Sequence, residues 1–183
     1  MKVNILLSTY NGEQYLKEQV KSIQDQTYRD WRLLIRDDGS TDGTVKIIQE
    51  LVAQDERIRF INQGAIENLG VIKSFHALLK YEKADLYCFS DQDDVWENNK
   101  VSVMLHRMKV LEKGLGKQCP ILLYSDMEVV DEDLYEISPS FAAYTHQDPD
   151  RSSFAELLVE NQVTGGASMI NRALLMRCAK APE

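Results

Sequence analysis

Asp85-Leu86-Tyr87-Cys88-Phe89-Ser90-Asp91-Gln92-Asp93-Asp94 sets an apolar run directly against three carboxylates. The apolar part reads as a buried strand, and the polarity changes abruptly where it ends. Crowding Asp91, Asp93 and Asp94 costs Coulomb repulsion unless a cation is near. A hard divalent ion, Mg2+ or Mn2+, suits oxygen ligands and keeps water and phosphate oxygens in its shell. Alone, such a cluster is more often a solvated acidic turn than a metal site. Its place after a strand in a regular alternation is what favours a cation.

That alternation runs outward in both directions. Val3-Asn4-Ile5-Leu6-Leu7 reads as a first buried strand, followed after Gly12 by a helix with Leu16, Val20 and Ile23 on one face. Trp31-Arg32-Leu33-Leu34-Ile35 is a second strand, ending at Arg36-Asp37-Asp38-Gly39. Ser40, Thr41 or Asp42 can cap the next helix, whose apolar face is Val45, Ile48 and Val52. Ile58-Arg59-Phe60-Ile61 is a third, shorter strand, and Asn68-Leu69-Gly70 turns into a helix expected to bury Val71, Phe75, Leu78 and Leu79. Beyond the acidic cluster, Val101, Met104, Leu105, Met108 and Leu111 are spaced for another helix, and Ile121-Leu122-Leu123-Tyr124-Ser125 for a fifth strand.

Strands alternating with helices imply an α/β fold: a mainly parallel sheet with helices on both faces. Ligands of such sheets bind beyond the carboxyl ends of the strands. Three polar segments occupy those ends: Ser8-Thr9-Tyr10-Asn11, Asp37-Asp38-Gly39-Ser40 and Asp91-Gln92-Asp93-Asp94. Their convergence on one rim is the main functional expectation. The Asp37–Gly43 stretch can be a turn and helix cap; its acids lack the spacing of a calcium loop, and no Glu closes twelve residues. It can also read a base, since a carboxylate accepts the imide N–H of thymine or uracil. Tyr10 can stack on a base or sit as a half-buried aromatic. Lys73, in the first turn of its helix, can reach a phosphate or remain a surface lysine. Trp96 is expected to pack under the acidic loop.

After Ser125 the pattern loosens. Residues 126–149 are irregular and acidic, with Pro139 and Pro149 as breakers. A helix is expected around 152–160. Val163-Thr164-Gly165-Gly166-Ala167 should turn into a short strand, with Asn171 capping a last helix.

The 183 residues suffice for one domain with a sizeable core, and 44% hydrophobic with 27% charged residues is an ordinary globular mix. A net charge of -8 argues against a nucleic-acid-binding surface and gives little attraction for anionic lipid. A nucleotide remains possible if a divalent cation or a few local cations neutralise its phosphates. Cys88, Cys119 and Cys178 form no C-x-x-C pair, so neither a disulfide framework nor a zinc-thiolate site is indicated. The histidines lack zinc-helix pairing. No apolar run approaches a membrane span, and Lys2 with Val3 to Leu7 does not make a signal peptide, so a cytoplasmic location is expected.

Ser8-Thr9-Tyr10-Asn11-Gly12, Asp37 to Thr44, and Phe89-Ser90-Asp91-Gln92-Asp93-Asp94-Val95-Trp96 together resemble glycosyltransferase family 2, with its GT-A fold. The likeness spans nearly the whole chain. Leu33 to Ser40, Asn68 to Lys73 and Val163-Thr164-Gly165-Gly166 turn it toward bacterial rhamnosyltransferases of cell-wall and capsular polysaccharide synthesis. The resemblance implies that Ser8, Tyr10 and Asp38 hold the nucleoside, with Asp38 on the pyrimidine. Asp91 and Asp93 match the family's Asp-x-Asp motif, Asp93 for direct ligation of Mg2+ or Mn2+ and Asp91 for contact near the ribose or sugar. Thr164, Gly165 and Gly166 match a loop facing donor sugar and acceptor, and Lys73 the pyrophosphate region.

One departure matters. The family's general base, an Asp or Glu that in rhamnosyltransferases usually follows a His, has no counterpart after Gly166, where the only acid is Glu183. The base is therefore expected beyond Glu183, in a GT-A domain cut at its C-terminus. On this reading residues 1–125 form a nucleotide-sugar-binding half and 126–183 part of an acceptor-side half. The implied reaction is inverting transfer of a sugar, dTDP-L-rhamnose being the expected donor, to a glycan or lipid-linked glycan at the inner face of the plasma membrane, any membrane contact being peripheral. A UDP-hexose transferase and a non-catalytic nucleotide-sugar-binding module are the alternatives. Nucleotidyl transfer usually needs a basic phosphate loop, and Ser8 to Gln14 has no Lys or Arg.

Overall fold

Both faces of the first strand are buried, and that dictates the layers. In β1 (Val3–Thr9), Val3, Ile5 and Leu7 point to one side and Leu6 to the other, all without solvent exposure. A strand buried on both faces belongs inside a sheet covered on both sides. The computed structural model describes residues 1–148 and 163–178, and there β1 lies centrally. It pairs in parallel with β2 (Trp31–Asp37) and β4 (Leu86–Ser90), and β2 pairs in parallel with β3 (Ile58–Phe60).

The fifth strand of the sequence, β5 (Leu122–Tyr124), does not join β4 directly. After a small hairpin of β6 (Val129–Val130) and β7 (Glu136–Ser138), the short strand β8 (Ser168–Asn171) comes between β4 and β5. β8 runs antiparallel to both, so the sheet order is β3-β2-β1-β4-β8-β5.

Helices cover both faces as expected. On one face lie α1 (Leu16–Gln24), α2 (Thr44–Gln54) and α4 (Lys100–Leu115), whose Leu16, Val20, Ile23, Ile48, Val101, Met104, Leu105 and Met108 pack with Val3, Ile5, Leu7, Leu33, Ile35 and Cys88. On the other, α3 (Val71–Tyr81) and α6 (Arg172–Cys178) cover Leu6, Leu34, Tyr87 and Ile170. α5 (Phe141–Tyr144) is a single turn beside the hairpin. Cys88 is a core residue, as its setting suggested, and burial pushes its thiol up to about 12. Asn171 does cap α6: its Oδ1 accepts the Leu174 N–H at 3.0 Å.

Two helix faces differ from expectation. α2 buries Thr44, Ile47, Ile48 and Leu51, leaving Val45 and Val52 at the margin. α3 buries Ser74 and Leu78, while Val71 is 63% exposed. The cause is shared: polar Thr44 and Ser74 bond inward to the loops at the strand ends, and that rotates each helix away from its purely apolar stripe. Residues 126–148 hold the β6–β7 hairpin and α5, which their composition did not announce. Pro149 and the helix expected at 152–160 lie outside the described residues.

The phase of α3 is checkable by urea denaturation. Leu78→Ala should cost about 2–5 kcal/mol as a buried truncation, and Val71→Ala less than about 0.5 kcal/mol as a surface change. Equal losses at the two positions would contradict this packing.

Candidate functional site

β1, β2 and β4 end side by side at Thr9, Asp37 and Ser90. The three polar segments that follow do meet on this rim. They enclose a cavity of about 540 Å3 lined by Ser8, Thr9, Tyr10, Asp38, Asn68, Gly70, Val71, Phe75, Asp91, Gln92 and Asp93. A larger cavity of about 800 Å3, bordered by Met1, Asp85 and Arg172, lies at the opposite ends of the same strands. It holds none of the three polar segments, so the smaller one is the candidate site.

The β2 end is built around two buried carboxylates. Asp37 Oδ2 accepts the N–H groups of Gly39 at 3.1 Å and Ser40 at 2.9 Å, and its Oδ1 accepts from the hydroxyls of Thr9 and Ser40. It shapes the turn, which needs glycine at position 39, where φ is 89°. Asp38 faces the cavity. Its Oδ1 accepts from Arg36 Nη1 at 2.6 Å, Leu69 N–H at 2.7 Å and Ser74 Oγ at 2.9 Å, and its Oδ2 accepts from Gly70 N–H at 2.9 Å. Oδ1 is thus saturated, while Oδ2 keeps acceptor capacity. Burial works to raise the Asp38 carboxyl, but the bonds from Leu69, Ser74, Arg36 and Gly70 outweigh it and hold the group below its ordinary range.

Side chains stitch the loops together. Gln92 pairs with the Tyr10 backbone twice: Oε1 accepts its N–H at 2.9 Å and Nε2 donates to its carbonyl at 3.1 Å. Asn11, at φ 48°, donates its N–H to Ser40 Oγ and accepts the Thr41 N–H. Tyr10 itself is 52% exposed, its ring available to a flat partner.

The acidic loop is pinned from below by α1. Gln19 Nε2 donates to Ser90 Oγ at 2.6 Å and to Asp91 O at 3.2 Å. Ser22 Oγ accepts the Trp96 N–H at 2.9 Å, and just past the helix Gln26 Nε2 donates to Glu97 O at 2.7 Å. The apolar reading of α1 missed these residues. Their spacing of three and four places them on one helical stripe, and a row of buried amides and hydroxyls there is the sign that could have revealed them.

At its far end the acidic loop meets Gly166. A Cβ placed there would stand 2.6 Å from Asp91 Oδ2 and 2.7 Å from Asp94 Oδ2. Asp91 is exposed as a residue, yet its carboxylate is turned against this glycine. Burial, then the neighbouring Asp93, push the Asp91 carboxyl up, while Gly166 N–H and Lys100 pull it down. Burial and then Asp91 likewise raise Asp94, with Lys100 opposing. The Lys100 ammonium is lowered by burial and held up by Asp94 and Asp91. Trp96 is buried beneath the loop, as expected, and carries Lys100 Nζ 4.1 Å from its ring centroid.

This donor set fits a hard divalent cation only in part. Its ligands are carboxylate oxygens, and glycine leaves open the space between Asp91 and Asp94. Among the described residues no group of three His, Cys, Asp or Glu side chains is arranged to hold a metal ion. Such a cation would therefore need further oxygens from a ligand or water. Of the remaining candidates, Lys73 is exposed and does not line the cavity. Thr164 and Gly165 also lie outside the lining, and Gly166 touches the site through the acidic pair.

Three comparisons bear on this arrangement. The model of the family "Glycosyl transferase family 2" matches residues 4–174. Shigella flexneri "dTDP-rhamnosyl transferase RfbG" is 40% identical over 98 residues, 52% of this chain and 34% of that protein. Escherichia coli "UDP-Glc:alpha-D-GlcNAc-diphosphoundecaprenol beta-1,3-glucosyltransferase WfgD" is 26% identical over 173 residues, 94% of this chain and 61% of that protein. The chain thus covers less than two thirds of the length of either relative. Among solved structures, the mannosyltransferase PcManGT from Pyrobaculum calidifontis, in complex with GDP-Man and Mn2+, superposes with a TM-score of 0.64 at 16% identity, covering 98% of this chain and 47% of that one. S. aureus TarS 1-349 gives 0.63 at 19% identity, covering 98% and 49%.

Two outcomes test the site's electrostatics and packing. A carboxyl held low in the folded state contributes stability that is intact above the unfolded value near 3.9 and is lost as the pH falls below it. The stability gap between the wild type and Asp38→Asn, from urea titrations, should therefore be constant above roughly pH 4 and shrink on further acidification. Gly166→Ala meets only the ends of two flexible side chains. Its melting temperature should stay within about 4 °C of wild type, while a crystal structure shows the Asp91 and Asp94 carboxylates displaced.

Proposed function

The chain belongs to glycosyl transferase family 2 and carries the GT-A form of the α/β fold; from that premise we propose that it is the donor-binding part of an enzyme transferring a sugar from a nucleotide diphosphate sugar to a surface polysaccharide, with inversion at C1. One observation carries the reading: Ser8, Tyr10, Asp38, Asp91 and Asp93, from three strand ends, line a single cavity.

The residues take the following roles. The Tyr10 ring stacks on the base, Ser8 holds the nucleoside, and the spare acceptor site of Asp38 Oδ2 receives the imide N–H of a pyrimidine. Four donors keep Asp38 ionised and fixed, so it is preorganised for that bond. Asp91 lies toward the ribose and sugar. Asp93, in the lining and exposed, is the proposed ligand of Mg2+ or Mn2+. When bound, such an ion supplies positive charge that stabilises the departing diphosphate. Lys73 is assigned to the pyrophosphate side, and Thr164, Gly165 and Gly166 to the side where sugar and acceptor meet. No described residue is given the part of the general base that deprotonates the acceptor hydroxyl.

The proposed donor is dTDP-L-rhamnose, with support from the rhamnosyl transferase match. A UDP-hexose is the second reading, favoured by the glucosyltransferase that matches 94% of the chain. The acceptor is a glycan or lipid-linked glycan. No helix among the described residues is long and apolar enough to cross a membrane, and the proposed setting is the cytoplasm beside the membrane's inner face.

Calorimetry with dTDP-rhamnose, UDP-glucose, UDP-galactose and UDP-N-acetylglucosamine, with and without Mn2+, separates these readings. One nucleotide sugar should bind in preference, more tightly with Mn2+, and Asp93→Ala should weaken it about tenfold, the loss of ~1.4 kcal/mol. Metal-independent binding that ignores Asp93→Ala would point to a non-catalytic module. No preference for any nucleotide would end the assignment.

A further inference from the structure

Lys100 stands at the first turn of α4 with its ammonium directed into the protein rather than to solvent. Nζ donates to the Gly166 carbonyl at 2.9 Å and rests 4.1 Å from the Trp96 ring centroid. The Oδ2 atoms of Asp91 and Asp94 crowd the position that a Cβ on the same glycine would take. Two elements far apart in sequence are thereby joined: the acidic loop after β4 and the Gly165–Ala167 turn before β8. The ammonium acts through space on both carboxylates, its direct bond being made to the carbonyl.

We propose that Lys100 is a resident counter-cation and positioning residue: it offsets the Asp91–Asp94 pair, ties that pair to the glycine turn, and keeps the affinity for a free divalent cation low until a diphosphate brings its own oxygens. A fixed positive charge held beside the acidic loop repels a second cation, whereas the added negative charge of a diphosphate outweighs that repulsion. Metal and nucleotide then bind cooperatively. The cooperative part rests on the donor reading above; the effect on bare metal does not.

The test is titration of Mn2+ alone, followed by electron paramagnetic resonance at low salt, on the wild type, Lys100→Met and Lys100→Arg, each with a thermal melt. Lys100→Met should bind free Mn2+ about three- to tenfold more tightly than the wild type, a direction that loosened structure would not give. Lys100→Arg keeps the charge and should stay within about twofold of the wild type. Unchanged, weaker or absent Mn2+ binding in Lys100→Met overturns the proposal, as does equal tightening in Lys100→Arg. If Lys100→Met does not fold, Asp94→Asn supplies the answer: Lys100 already offsets that carboxylate, so its loss should weaken Mn2+ less than Asp93→Ala does, and the reverse order overturns the proposal. A separate arm with UDP and dTDP reads the donor assignment, so failure of either idea is visible without the other.

Discussion

A sheet covered by helices on both sides leaves polar side chains only its ends. In β1, Val3, Ile5, Leu6 and Leu7 supply apolar groups to the two layers, buried Asn4 near the start of the strand bonds the Glu82 carbonyl, and Ser8 and Thr9 carry polarity to the far end. Because β1, β2 and β4 are parallel and in register, three such ends fall together. The site is a by-product of burying the strands. Even the polar residues drawn under it from α1, Gln19 and Ser22, are there to satisfy backbone and hydroxyl groups that burial would otherwise strand.

The two acidic segments on this rim live under opposite electrostatic regimes. Asp37 and Asp38 are surrounded by donors, and Asp38 pairs with an Arg36 that is itself almost fully buried. Their charge is met in advance, which suits a group that must present one fixed acceptor. Asp91 and Asp94 have few donors and each other for company, with a single lysine in opposition. That arrangement stores unfavourable charge, and a ligand that brings positive charge relieves it. The contrast separates a carboxylate whose charge is already met by donors from a pair whose charge is not.

The sequence made β1 to β5, their order in the chain and the three polar ends legible, because apolar runs and the abrupt polarity changes that end them are local signals. It was less informative where tertiary bonds decide. Thr44 and Ser74 turned α2 and α3 off their apolar stripes, for Thr44 Oγ1 accepts the Gly12 N–H and Ser74 Oγ bonds Asp38. The place of β8 between β4 and β5 could not be read either, since a four-residue strand carries no mark of its partner. Gln92 looked like filler in an acidic run, and its double bond to the Tyr10 backbone depends on a loop 82 positions away. Family resemblance supplied residue roles that spacing could not, and geometry has brought most of those residues to one cavity while leaving Lys73 outside its lining.

The antiparallel insertion of β8 has a consequence for biogenesis. Leu86 of β4 pairs with Val3 on one edge and on the other with Asn171, and Ser125 bonds Ala167, so the sheet cannot be completed until the chain has been synthesised well past its acidic loop. During that interval on the ribosome, the β4 edge is unpaired and the carboxylates after it lack the glycine turn that later confines them. Long-range pairings of this kind are slow to form and expose strand edges while they wait. The order of synthesis thus places assembly of the acidic side of the rim among the last folding events, after the side built from β1, β2 and α3 already has all its parts.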